Sequence, residues 1–328
     1  MNTYNGSIIY DRISYCKRLI YIIQENNIIS LYDTIENRIF NDIDYQILKR
    51  VEPLWMTQVG RSAETDSDKV YFENKIKENN NYVTNKILYW HDFENLVDAL
   101  SDRFSMVRLL IDKFYEILPY NVRYNSTDHY QKVIKEMNEK ADLAHTYLNN
   151  IFISLASSFD ILTKIAFELN ALGQISLYNK YPKLCSLSSG TLYKPSVAVD
   201  TRLKSTSTLF EDPYCVRKII TLRNEFIHNG AWDYRPTIYT GFIDGVLIDS
   251  WIFCPDTDNR GNLISSRSRN KFYSLNEKIN ATLPALLQDV LNVLHYTINK
   301  INDIYQLPRY SDNKTLMKFD DEIKNWSL

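Results

Sequence analysis

Residues 130–172 carry an apolar repeat that leaves few choices for the fold. Ala141, Ala144, Leu148, Ile151, Leu155, Ser158, Leu162, Ile165 and Leu169 recur at near-heptad spacing. Phe152, Ala156, Phe159 and Ala166 form a second stripe beside the first. A helix that is apolar on two sides has to be covered on both, which puts it at the centre of a bundle. The polar run Asn121–His129 precedes the segment, and Gly173 is placed to cap its end.

Other segments extend the helical pattern. Phe93, Leu96, Leu100, Phe104, Val107, Leu110, Ile111, Phe114 and Ile117 mark a helix over 92–118, stopped by Pro119. Residues 70–90 read as helical with an interruption at Asn79-Asn80-Asn81, and 273–306 as a long amphipathic helix starting near Leu275. Residues 7–50 read as short helices with strands at Ser7–Tyr10 and Ile28–Tyr32. Gly60–Asp68 reads as an exposed loop and 174–210 as a long connection with short helical pieces. One stretch changes character: Thr237–Phe253 is β-branched and aromatic around Asp244-Gly245, a hairpin signature. With only 8 Gly and 9 Pro in 328 residues, turns are too few for a many-stranded β fold. The expected class is all-α, a helical bundle with a small β-hairpin inserted late in the chain. Its divisions are a helical N-terminal region over 1–120, a helical domain over 121–310 and a tail over 311–328.

Charge and cysteine content exclude several functions. A net charge of −2 argues against coating nucleic acid non-specifically, but leaves room for a local site for RNA or a nucleotide. Cys16, Cys185, Cys215 and Cys254 are far apart and form no CxxC pair, so no zinc or thioredoxin-like motif is signalled. No run approaches the ~18 uninterrupted apolar residues of a membrane span, and Met1–Arg12 lacks the pattern of a signal peptide. These features lead us to expect a cytoplasmic chain with reduced thiols, no membrane partner, no metal and no cofactor.

The chemistry concentrates in Arg223-Asn224-Glu225-Phe226-Ile227-His228, closed by Asn229 and Gly230. The spacing predicts a helix over 212–229. Val216, Ile219, Ile220 and Ile227 are expected on its apolar stripe, and Arg223 falls inside that stripe. A guanidinium there must find an anion or hydrogen-bond partners. Asn224 and His228 are one turn apart. Gly230 just past the helix end puts His228 in the last turn, where the helix dipole favours the imidazolium. Metal-free RNA cleavage needs a base for the ribose 2′-OH, an acid for the leaving 5′-oxygen and a cation for the charge on phosphorus oxygens. His228 can transfer the protons and Arg223 can stabilise the charge. Asn224 can position the phosphate or hold the histidine. One copy supplies one histidine, and two copies across a two-fold axis supply two.

The run Arg223-Asn224-x-x-x-His228 resembles the signature of the HEPN superfamily, an Arg, often followed by Asn, with a His a few residues on. The resemblance covers residues from about 130 to 306. It implies an all-α domain built around a bundle of four or more helices, and an active site that often forms at a HEPN–HEPN interface. It also implies metal-independent endoribonuclease activity of the kind found in host-defence and toxin–antitoxin systems. The partners it implies are an RNA substrate, a second copy of the chain and a regulatory partner. Some members are non-catalytic modules that bind a nucleotide or a protein, which is the alternative. HEPN toxins silenced by nucleotide transfer onto a tyrosine carry that tyrosine two residues after the His. Here the position is Gly230, so that control is not expected. HEPN domains often place a polar residue on a neighbouring helix near the motif. Asp160 can fill that role beside Arg223 or simply be a solvated acid, with Glu168 and Ser157 as competitors for the role.

The remaining polar residues have plainer readings. His145 and His295 read as satisfied helix histidines, and His91, between Trp90 and Asp92, as helix-start chemistry. Asp256–Gly261 begins like a calcium loop, but Arg260 and Arg267 stand at ligand positions, which excludes one. Arg260, Arg267, Arg269 and Lys271 form a basic loop that can guide RNA or simply be solvated.

Overall fold

The computed structural model describes residues 4–63, 68–118, 130–172, 192–230, 232–324 and Trp326. Asn121–His129, Pro119 and Gly173, and the start of the connection after residue 173, lie outside the described residues. The chain is mostly helical. Among the described residues the α-helices are α1 (Tyr4–Ile22), α2 (Ile29–Ile39), the short α3 (Tyr45–Leu48) and α4 (Leu54–Thr57), α5 (Lys69–Glu78), α6 (Tyr82–Ile117), α7 (Glu139–Ala171), α8 (Tyr214–Asn229), α9 (Ile279–Tyr305), α10 (Thr315–Lys318) and α11 (Asp320–Ile323). A π-helical turn, Ile23–Ile28, joins α1 to α2. The strands β1 (Lys132–Glu136), β2 (Ile238–Ile243) and β3 (Val246–Trp251) form one antiparallel sheet in that order.

Several elements differ from the sequence reading. Residues 7–10 and 28–32 are helical, because Ile9, Ile13, Cys16 and Ile20 bury at helical spacing and override local β propensity. Residues 132–136, expected at the start of the central helix, form β1, with Ile134 opposite Thr240 and Glu136 opposite Ile238. Asn138 then caps α7, its Oδ1 accepting the Ala141 N–H at 3.1 Å. Residues 273–278 are not helical. The Cys254 N–H donates to Glu277 O at 2.8 Å and the Ile279 N–H to Ile252 O at 2.9 Å, so this segment extends along the end of the hairpin strand. The break at Asn79–Asn81 separates α5 from α6, and Asn81 Oδ1 accepts the Thr84 N–H at 2.9 Å.

The chain divides into two compact units. The first comprises Met1–Asn26, Leu100–Phe159 and Lys204–Thr297, and the second Asn27–Ala99, Asp160–Leu203 and Ile298–Leu328. Each unit therefore draws residues from both sides of the sequence boundary near 120.

In the first unit, every α7 residue of both apolar stripes up to Phe159 is buried, with Leu148, Ile151, Phe152 and Leu155 fully so. Fully buried Phe104, Ile111, Val216, Leu222, Leu287 and Leu294 join them in this unit's core. Pro284 sits inside α9 and cannot donate to the Asn280 carbonyl four residues back. The Tyr115 hydroxyl donates to that oxygen at 2.8 Å, so the freed acceptor is satisfied. The hairpin turns at Asp244-Gly245 with φ of 50° and 77°, as a two-residue primed turn requires. The Tyr130 ring lies over Gly241 where a Cβ would collide with it, stacks on Trp251 with centroids 5.1 Å apart, and donates its hydroxyl to Asp249.

In the second unit, His91 is deep within α6 rather than at a helix start. It is buried between Glu52, which meets Nε2, and Glu94, 3.0 Å from Nδ1. α7 is long and apolar enough to cross a bilayer by length and composition, but 61% of its most apolar window is buried inside the fold.

Candidate active site

α8 positions the motif. It starts after Pro213 and ends at Gly230, whose φ of 81° suits glycine and whose N–H donates to Phe226 O at 3.2 Å. Cys215, Val216, Lys218, Ile219, Leu222, Glu225 and Phe226 are buried. At about 100° per residue the buried face is therefore centred between Leu222 and Phe226. This corrects the expected stripe: Ile227 is 46% exposed, and Arg223 stands on the flank of the core face rather than within it. The core claims Phe226 instead, because its ring packs on Trp232 at 4.8 Å and on Phe152 at 6.4 Å.

Arg223 is half-buried, and its Nη1 donates to Asn224 Oδ1 at 2.9 Å. Its Nε is buried without a hydrogen-bond partner, and no carboxylate among the described residues forms an ion pair with the guanidinium. Asn224 thus holds the arginine. His228 is exposed in the last turn and makes no hydrogen bond to any described residue. Asn224 and His228 lie about 40° apart around the helix, whereas Arg223 and His228 lie about 140° apart.

Glu225, inside the motif, went unnoticed in the sequence. It is buried and accepts from Asn229 Nδ2 at 3.0 Å and Asn270 Nδ2 at 3.2 Å. Asn270 belongs to a strap that follows α8 along this flank. Gly261 meets the backbone of Tyr214 and Lys218 so closely that a Cβ would lie 2.7 Å from Lys218 N. Further along, the Tyr273 hydroxyl donates to Trp232 O at 2.5 Å. The strap carries the basic loop. Arg267 and Ser268 form its tip with φ of 48° and 65°, closed by paired hydrogen bonds between Ser266 and Arg269. In the rejected calcium loop, Asp258 accepts from the Arg260 and Asn262 N–H groups.

His145 is expected to be a satisfied helix histidine, and only one of its nitrogens is. It is 4% exposed, with Nε2 3.2 Å from both the N–H and the carbonyl oxygen of Thr237, while Nδ1 has no partner. Burial pushes its imidazole below the usual histidine value, against the hydrogen bond to Thr237. A cavity of about 140 Å³ opens beside it, lined by Asp142, His145, Thr146 and Asn149 of α7, Phe226 and Gly230 of the motif segment, and Pro236. The signal was available: residues 142, 145, 146 and 149 form a polar stripe at i, i+3, i+4 and i+7 in the first turns of an apolar helix.

Asp160 lies on α7 within the second unit, while Arg223, Asn224 and His228 belong to the first. Its Oδ1 accepts the Tyr193 N–H at 2.8 Å. Glu168, also in the second unit, is buried and accepts from the Tyr89 hydroxyl at 2.7 Å. A cavity of about 760 Å³ in the first unit is at the other end of α8, lined by Tyr214, Cys215, Asp289, Asn292 and His295 among others. Tyr214 precedes His228 by fourteen residues, roughly 21 Å of helix. Burial pushes the Cys215 thiol there up to about 11, which leaves it protonated and poorly nucleophilic.

No family model matches this chain, and neither a curated protein nor a solved structure shows significant similarity to it.

Proposed function

We propose that this chain is a HEPN-type, metal-independent endoribonuclease of the cytoplasm that cleaves RNA by attack of the ribose 2′-OH. Its products are a 2′,3′-cyclic phosphate and a 5′-OH. The observation that carries the reading is the state of the motif. A half-buried guanidinium is fixed by Asn224, holds a buried donor without a partner and has no carboxylate among the described residues, and an unbonded histidine follows in the last turn. A cation and an imidazole with no internal task are available for a phosphodiester.

The reading requires two copies. Arg223 and His228 diverge by about 140° on one helix, so they do not meet on one phosphate from the same side. Ile227, 46% exposed, lies on the arc between them and supplies an apolar contact for a second copy. A homodimer brings two histidines and two arginines to one groove. A defence or toxin-like setting, with a partner that restrains cleavage, comes from the family resemblance alone. The same divergence of Arg223 and His228 favours a second reading if the chain stays monomeric: a module that binds a nucleotide or a partner protein without cleaving.

The test is cleavage of a mixed RNA by the purified protein in EDTA, beside His228→Ala. Cleavage by the wild type alone is expected. Inactivity of both proteins would favour the binding module, and equal cleavage by both would move the chemistry away from His228.

A further inference from the structure

We propose that the 140 Å³ cavity at the end of α8 is a base-recognition subsite, which receives one nucleobase of the strand presented to His228. The proposal deepens the ribonuclease reading and rests on it for the identity of the strand.

The polar groups come first. His145 and Asn149 both line the cavity, and His145 Nδ1 and Asn149 Oδ1 are buried with no hydrogen-bond partner. Buried polar atoms are normally paired, and these two belong to side chains beside one cavity, where a bound molecule can pair them. They are complementary in kind. An amide oxygen only accepts. The neutral imidazole nitrogen donates when Nε2 accepts the Thr237 N–H, and accepts when Nε2 donates to the Thr237 carbonyl. A nucleobase edge presents a donor beside an acceptor. Cytosine and adenine do so with an amino group next to a ring nitrogen and uracil with an imide N–H next to a carbonyl, and each fits Asn149 accepting and His145 donating.

Size and charge agree. At ~30 Å³ per water the space holds roughly five, more than two orphan atoms need. It is smaller than the ~300 Å³ at which drug-sized pockets begin. One flat ring system fits between these limits. Asp142 is exposed at the rim and disfavours an anion, so the phosphate of a bound nucleotide stays outside. Phe226 supplies an aromatic wall, and aromatic walls bind bases without regard to sequence. The cavity is also in the right place. Gly230 lines it two residues after His228, and a Cβ added at Gly230 meets nothing within 4 Å, so the helix end leaves room for the ribose.

The experiment titrates cytidine, adenosine and uridine 5′-monophosphates into protein with ¹⁵N-labelled histidine, following the His145 ring nitrogens. Each of the three nucleotides should move the Nδ1 resonance. Thr146→Trp fills the rim from an exposed position and should weaken that response about tenfold or more. Asn149→Leu removes the orphan acceptor and should do the same while the protein stays folded. A silent His145 with all three nucleotides would mean the cavity holds only water and would overturn the proposal. So would a response that survives both substitutions. Nucleotide binding here without RNA cleavage leaves the subsite standing and removes the ribonuclease. Cleavage that depends on His228 with a silent His145 does the reverse.

Discussion

Replacing Arg223 with methionine separates a functional arginine from a structural one. The side chain makes one charge-assisted hydrogen bond, Nη1 to Asn224 Oδ1 at 2.9 Å, from a half-buried position. Such bonds contribute about 1.5–3 kcal/mol, and less where water competes. Against that, Nε is buried with no partner, which costs about 1–3 kcal/mol that the substitution removes. The terms nearly cancel, and methionine retains the stem's apolar packing. The expected change in unfolding free energy is within about 1 kcal/mol in either direction, while RNA cleavage falls by ~10²–10³-fold, the usual cost of losing a group that stabilises transition-state charge. α8 contains its own control. Lys218 is buried and paired with both oxygens of Glu277 at 2.8 Å, so Lys218→Met strands a carboxylate and should cost about 3–5 kcal/mol. Urea denaturation of both variants at one pH, with the slope checked for two-state behaviour, reads the difference. If Arg223→Met loses as much stability as Lys218→Met, the guanidinium is a structural group and the argument for its function fails.

Two further outcomes can be measured. Burial opposes charge on His91, but its hydrogen bonds to Glu52 and Glu94 and their charges outweigh this and hold it above the usual histidine value. Its contribution to stability is therefore complete below pH ~6.5 and is lost as pH rises through the raised value; thermal melts across that range should show the decline in the wild type and not in His91→Gln. Ile227→Asp should convert the proposed dimer to a monomer in light scattering and abolish cleavage, and a wild type that is monomeric at every concentration would remove the two-copy site.

What the sequence revealed was governed by how far away the deciding partner lay. The α7 stripes were legible because burial on both sides imposes a period that one helix displays by itself, and every stripe residue is buried. The hairpin was legible because Asp244-Gly245 dictates its own turn. β1 was not, since Lys132–Glu136 is five residues long and its partner β2 lies a hundred residues on. Leu275 looked like the first member of the α9 stripe, yet pairing of Glu277 and Lys278 with the hairpin's end leaves it 63% exposed. The motif itself was visible as residue types, but its surroundings were not. Which of two adjacent apolar residues enters the core, Phe226 or Ile227, depends on Trp232 and Phe152. The capture of Glu225 by Asn270 depends on a strap whose path no local pattern records.

The circumference of α8 carries the remaining argument. The core takes the arc centred between Leu222 and Phe226, and the strap takes the next, through Lys218 and Glu225. Taking Arg223 as zero and about 100° per residue, the arc left open runs past Ile227 at ~40°, Asn224 at ~100° and Arg217 at ~120° to His228 at ~140°. Arg217 is already occupied, by Asp212. The three motif side chains and an exposed isoleucine therefore share the only arc that the first unit's described core and strap leave uncovered. A helix stabilised solely by its own fold has no need to collect its unpaired cation, its unbonded imidazole and an apolar side chain on one uncovered side. Collected there, they suit a surface completed by another molecule, and the cavity beside Gly230 at the helix end is where a strand crossing that surface would first find groups able to read a base.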